Sequence, residues 1–135
     1  MKHPILFGYQ SIAGLSDTAT GAMLWIAPQL TLRLMGLQAP ADANPYLSWI
    51  GAFVFSVGVA YLYGAMLIAV EAPAERTEIV WLLTAFTRSA VAIYVLKSIL
   101  AGQLPFGWIT VAVFDAACVV IQAIGLRNRW LVDVR

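Results

Sequence analysis

The chain has 135 residues, of which 61% are hydrophobic and 11% charged, with a mean hydropathy of +0.83 and a formal net charge of +1. This is far more apolar than an ordinary soluble domain and assigns the chain to the integral membrane class. A balance of 8 basic against 7 acidic residues offers no basic patch for nucleic acid, while the single cysteine (Cys118) and single histidine (His3) exclude an internal disulfide, a cysteine metal cluster, a bis-histidine haem or a di-iron centre, so no metal and no cofactor is implied.

Lys2 and His3 precede an apolar run that superficially resembles a signal peptide, with Ala39-Pro40-Ala41 as a nominal cleavage site. The run is too long for a signal h-region and is interrupted by Ser16-Asp17-Thr18, so it reads as a retained first membrane helix over Gly8–Pro28. About 20 residues suffice to cross ~30 Å of hydrocarbon. Gly14, Asp17 and Gly21 share one face of that helix, which admits close approach of a neighbour and turns the carboxylate inward.

Gln29–Leu37 is too short to cross and alternates polar with bulky apolar residues, which predicts a short interfacial helix with Pro28 pre-set for its first position and Gly36 as its stop. Gln38–Pro45 reads as an exposed loop. The second span, Tyr46–Val70, has no charge and is punctuated by Gly51, Gly58 and Gly64, a spacing that suits close helix packing more often than a ligand channel. The segment Glu71–Glu78 (EAPAERTE) reads as a loop broken by Pro73.

The third span, Ile79–Leu100, carries Arg88 near its middle and Lys97 near its end. Lys97 can snorkel to the interface, but a central arginine costs about 2.5–3.5 kcal/mol on insertion scales and requires a partner inside the protein. A tight turn, Ala101–Pro105, leads into the fourth span, Phe106–Leu126, with Asp115 at its middle, followed by the basic, aromatic tail Arg127–Arg135. With the turn centred near Gln103, Arg88 lies opposite Cys118, and Asp115 is offset by about 4.5 Å along the axis at ~1.5 Å per residue, within an arginine's reach.

These elements predict an all-α, four-span up-and-down bundle forming one membrane domain over residues 1–135, with a short interfacial helix after the first span. Lys2, Arg76, Arg127, Arg129 and Arg135 fall on one side against Arg33 and Lys97 on the other, which places both termini in the cytoplasm. Trp49-Ile50 followed by Val54-Phe55-Ser56 aligns with Trp108-Ile109 followed by Val113-Phe114-Asp115, a pattern that a duplicated hairpin would leave, with Ser56 in the place of Asp115.

The candidate chemistry is a buried cluster of Asp17, Arg88 and Asp115, expected to meet in the core as the proton-transferring or catalytic residues. Thr84, Tyr61 and Gln122, at similar depth, are the candidate ligand-binding side chains, with Thr87 nearby. The same cluster also suits a purely structural polar knot. A first helix ending at Pro28, the run Leu30-Thr31-Leu32-Arg33-Leu34-Met35-Gly36, a glycine-punctuated second span, Arg88 and Asp115 together resemble small bacterial four-helix membrane proteins of DoxX-like type. The resemblance implies an inner-membrane location and, for some such proteins, a link to quinone-dependent redox complexes; no redox motif accompanies it here. Three classes of function therefore stay open: binding or protonation of a small lipophilic molecule, a non-catalytic subunit of a larger membrane complex, or a small transporter that needs a homo-oligomer to enclose a path.

Overall fold

The computed structural model describes residues 3–132; Met1, Lys2 and the final Asp133, Val134 and Arg135 lie outside the described residues, so the parts of Lys2 and Arg135 in the charge balance do too. The chain divides into two compact units, 1–72 and 73–135. Among the described residues both are helical, without strands.

The first unit contains α1 (Pro4–Ile26), α2 (Pro28–Leu34) and, after a turn of 3-10 helix at Ala41–Ala43, α3 (Asn44–Ala69). Proline writes these boundaries. Pro4 and Pro28 stand in first turns, where the missing N–H is no loss. Ala27, disfavoured in helical geometry by the following proline, adopts φ −139° and breaks the chain between α1 and α2. Pro28 therefore opens the short helix, and α1 starts at Pro4 and ends at Ile26, where the hydropathy pattern suggested 8 and 28. The loop after α2 is drawn in by Gln29, whose amide donates to Asn44 Oδ1 at 2.7 Å and to the Ala39 carbonyl at 3.3 Å.

The second unit is a hairpin of α4 (Ala74–Leu100) and, after a 3-10 turn at Phe106–Trp108, α5 (Ile109–Arg127). Most of EAPAERTE is thus the first turn of a helix and not a loop: Pro73 sits at its N-cap and ends only the preceding chain. α2 and α4 close with the same carboxy-terminal motif. Gly36 (φ +71°) lets the Leu37 N–H reach the Leu32 carbonyl at 2.8 Å, and Gly102 (φ +70°) lets the Gln103 N–H reach Ser98 at 2.8 Å.

The α1–α3 contact is made through glycine. A Cβ added to Gly21 would stand 2.2 Å from the Phe55 backbone nitrogen, one on Gly51 would stand 2.4 Å from that of Trp25, and one on Gly58 would stand 2.3 Å from that of Thr18. The two backbones touch, as close helix packing without a hydrophobic drive between helices requires. The repeated hairpin pattern does not extend to this level: Ser56 is exposed and its hydroxyl bonds the Ala52 carbonyl, whereas Asp115 is buried.

Three helices among the described residues, α3 with its leading turn, α4 and α5, are long and apolar enough to cross a membrane. α1 is long enough, at 23 residues, but Gln10, Ser11, Ser16, Asp17, Thr18 and Thr20 keep it out of that class. Large apolar side chains lie on the outside, Ile26 83% exposed, Phe86 77% and Leu100 79%, while Gln10, Thr84, Arg88 and Gln122 are buried beside an apolar core. An apolar exterior over polar side chains fits embedding in lipid.

The glycine contacts predict that Gly21→Ala or Gly51→Ala forces α1 and α3 apart and lowers stability in detergent by about 1–3 kcal/mol. Gly8→Ala, in the same helix but with nothing within 4 Å of its Cβ position, should instead be neutral or stabilising by about 0.5–1 kcal/mol. Thermal unfolding of the three variants checks this, and equal losses at all three positions would refute the packing account.

Candidate functional site

The buried residues of α4 recur at helical spacing, Thr77, Trp81, Thr84, Arg88, then Val95 and Ser98; those of α5 are Ala112, Asp115, Cys118, Gln122 and Gly125. Each row is one face of its helix. Because the hairpin is antiparallel, the rows meet in reverse order: Trp81 against Gly125, Thr84 against Gln122, Arg88 against Asp115.

At Gly125 a Cβ would come within 2.4 Å of the Trp81 ring and 2.9 Å of the Trp130 ring, so the missing side chain is the space in which two indoles pack. One turn further in, Gln122 Nε2 donates to Thr84 Oγ1 at 2.7 Å, and the Thr84 hydroxyl donates to the Val80 carbonyl at 2.8 Å. Beyond them Arg88 Nη1 donates to Asp115 Oδ1 in an ion pair with both side chains buried. The guanidinium carbon lies 5.1 Å from the centroid of the Phe114 ring, a cation–π contact on the partly exposed side of α5. A charge pair, an aromatic face and an amide–hydroxyl bond thus line one seam, a set that can hold a proton, orient a polar group and tolerate an apolar body beside it.

The second unit therefore brings together four of the sequence candidates: Arg88, Asp115, Thr84 and Gln122. Asp17 and Tyr61 belong to the first unit. Asp17 is buried on α1 on the stripe shared with Gly14 and Gly21. Tyr61 is fully buried, its hydroxyl 3.4 Å from that of Tyr9, with the Gln10 amide donating to its carbonyl at 3.5 Å. Thr87, in contrast, is exposed and bonds the Leu83 carbonyl, so it is not part of the seam. Trp81, Phe114 and Gly125 were not anticipated. The three-and-four spacing from Thr77 to Arg88 contains the signal for Trp81; no spacing rule announces that Phe114 lies under a guanidinium.

Among the described residues no three His, Cys, Asp or Glu side chains are grouped to hold a metal ion. No family model, characterised protein or solved structure matches the chain.

If the pair is coupled, Arg88→Met or Asp115→Leu alone should cost about 3–5 kcal/mol by breaking the buried pair from one side, and the double substitution should recover much of that loss. Unfolding of the four proteins in one detergent closes the cycle; a double variant as unstable as the summed single losses would show that the two charges do not stabilise each other.

Proposed function

We propose that the protein is a small integral membrane protein that binds a small lipophilic molecule at the Arg88–Asp115 seam and exchanges a proton with it, as part of a membrane-associated pathway. The observation that carries the reading is the buried ion pair itself, held in the middle of two apolar helices and bordered by Thr84, Gln122 and Phe114. Ionisable side chains at that depth are costly and mark ligand or proton sites more often than packing. Arg88 supplies a fixed positive charge, Asp115 the proton-carrying group, and Thr84 and Gln122 the orienting polar contacts. Asp17, the buried carboxylate of α1, and Tyr61 are proposed as further proton-carrying and ligand-binding groups of the first unit. On this reading α1 is a fourth span, its polar side chains turned from lipid, and both termini face the cytoplasm, with Arg76, Arg127 and Arg129 on the inner side.

The test is chemical. The full chain purified in mild detergent should retain an apolar small molecule, identified by mass spectrometry of an organic extract, and Arg88→Gln or Asp115→Asn should release most of it while leaving the protein folded. Retention of a second protein instead, unaffected by the Arg88→Met/Asp115→Leu double variant, would replace this reading by that of an accessory subunit whose charges only hold its fold. Topology is checked separately by a cysteine at Asn44 in a Cys118→Ser background: an impermeant thiol reagent should reach it from outside sealed cells, and labelling from the cytoplasmic side alone would overturn the orientation.

A further inference from the structure

Resting on that reading, we propose that Gln122 Oε1 is a binding point for a hydroxyl donor, supplied either by a trapped water or by the hydroxyl of a lipophilic alcohol or phenol. Where the ligand supplies the donor, the seam selects a hydroxyl over an ether or a carbonyl. The argument begins with the single proton of Thr84. That proton is committed to the Val80 carbonyl at 2.8 Å, so Thr84 Oγ1 is left to accept, and Gln122 meets it at 2.7 Å with its amide nitrogen. Turning the amide round would require the Thr84 proton to leave the Val80 carbonyl and would take the amide nitrogen off Thr84. In the arrangement seen, Oε1 is held away from Thr84.

Gln122 is completely buried, and its Oε1 has no hydrogen-bond partner among the described residues. Buried acceptors are almost always satisfied, and between apolar helices no bulk water reaches this one. Only an O–H or N–H group can complete it. Gln122 lies seven residues along α5 from Asp115, about 10 Å at ~1.5 Å per residue, on the same buried face. A molecule whose hydroxyl rests on Gln122 is thereby directed along the seam toward the ion pair. The first unit repeats the arrangement independently: Gln10 is completely buried, gives its amide N–H to the Tyr61 carbonyl, and has an Oε1 without a partner among the described residues.

The experiment uses the full chain in lipid nanodiscs and three probes: 2-naphthol, 2-methoxynaphthalene and 2-acetylnaphthalene, each dialysed to equilibrium against empty nanodiscs. Naphthol should bind about ten-fold more tightly than the ether or the ketone. The preference should disappear in Gln122→Met, which keeps the volume of the side chain and removes its acceptor. Thr84→Val supplies a second variant: with the hydroxyl gone the amide is free to turn, and binding of the ketone should rise toward that of naphthol. Infrared difference spectra in water enriched in oxygen-18 separate the two donors. An isotope-sensitive internal water band lost in Gln122→Met, with no naphthol preference, assigns the donor as water and supports the proposal. Naphthol binding that erases the band assigns the same acceptor to the ligand and also supports it. Equal binding of all three probes with no such band, or a naphthol preference that survives Gln122→Met, overturns it. In that case a co-purifying lipophile that still depends on Arg88 leaves the broader function standing.

Discussion

The interaction on which the second unit depends is the ion pair between Arg88 and Asp115. Two apolar helices carry one charge each near their middles, and neither charge can face lipid without a large cost, so each fixes the rotation and axial register of the other's helix. Once that register is set, Thr84 falls opposite Gln122 and Trp81 falls on Gly125. The pair is weak evidence for stability as such, since an apolar replacement of both partners can pack as well. Its strength is in specificity: few other alignments of α4 and α5 would leave no charge alone.

The first unit solves the same problem of helix association by the opposite means. α1 and α3 present glycines where α4 and α5 present charges, and the contact is backbone on backbone at Gly21, Gly51 and Gly58. Lipid offers no hydrophobic drive between helices, so association must come from close van der Waals approach or from polar contacts. One unit uses mainly the first and the other mainly the second. Asp17 and Gln10 sit on the glycine-bearing face of α1, which shows that close packing and buried polarity are compatible when the polar groups lie between the small residues.

Most remaining polarity is disposed of locally. Thr31, Ser56, Thr84, Thr87 and Ser89 each bond the backbone carbonyl four residues earlier, which is how a hydroxyl is carried through an apolar environment at little cost. Glutamine has no such route, because its longer side chain ends in two N–H donors and a carbonyl acceptor that one backbone carbonyl cannot satisfy. Gln122 and Gln10 therefore depend on tertiary partners for the nitrogen, and their oxygens have no partner among the described residues.

Composition and the placement of isolated charges determined the membrane class, the helical architecture and the Arg88–Asp115 register, because each rests on one-dimensional quantities: apolar run length, the position of a turn at Ala101–Pro105, and a fixed rise per residue. Glycine spacing likewise disclosed the face of α1 that packs, since a periodicity of 3.6 residues assigns faces without knowledge of the partner. Helix ends were less legible. Pro4 and Pro73 stand at helix starts that hydropathy alone would have placed elsewhere, whereas Pro28 opens the short helix as its fixed φ suggests; a proline's effect depends on whether the chain before it or after it is helical. The tertiary structure alone decided which way each buried side chain turned. That Phe114 lies beneath the guanidinium, that Thr87 is exposed while Thr84 is buried, and that the Gln122 amide nitrogen meets Thr84 all depend on how α4 packs against α5, which brings together residues 26 and 38 positions apart in sequence.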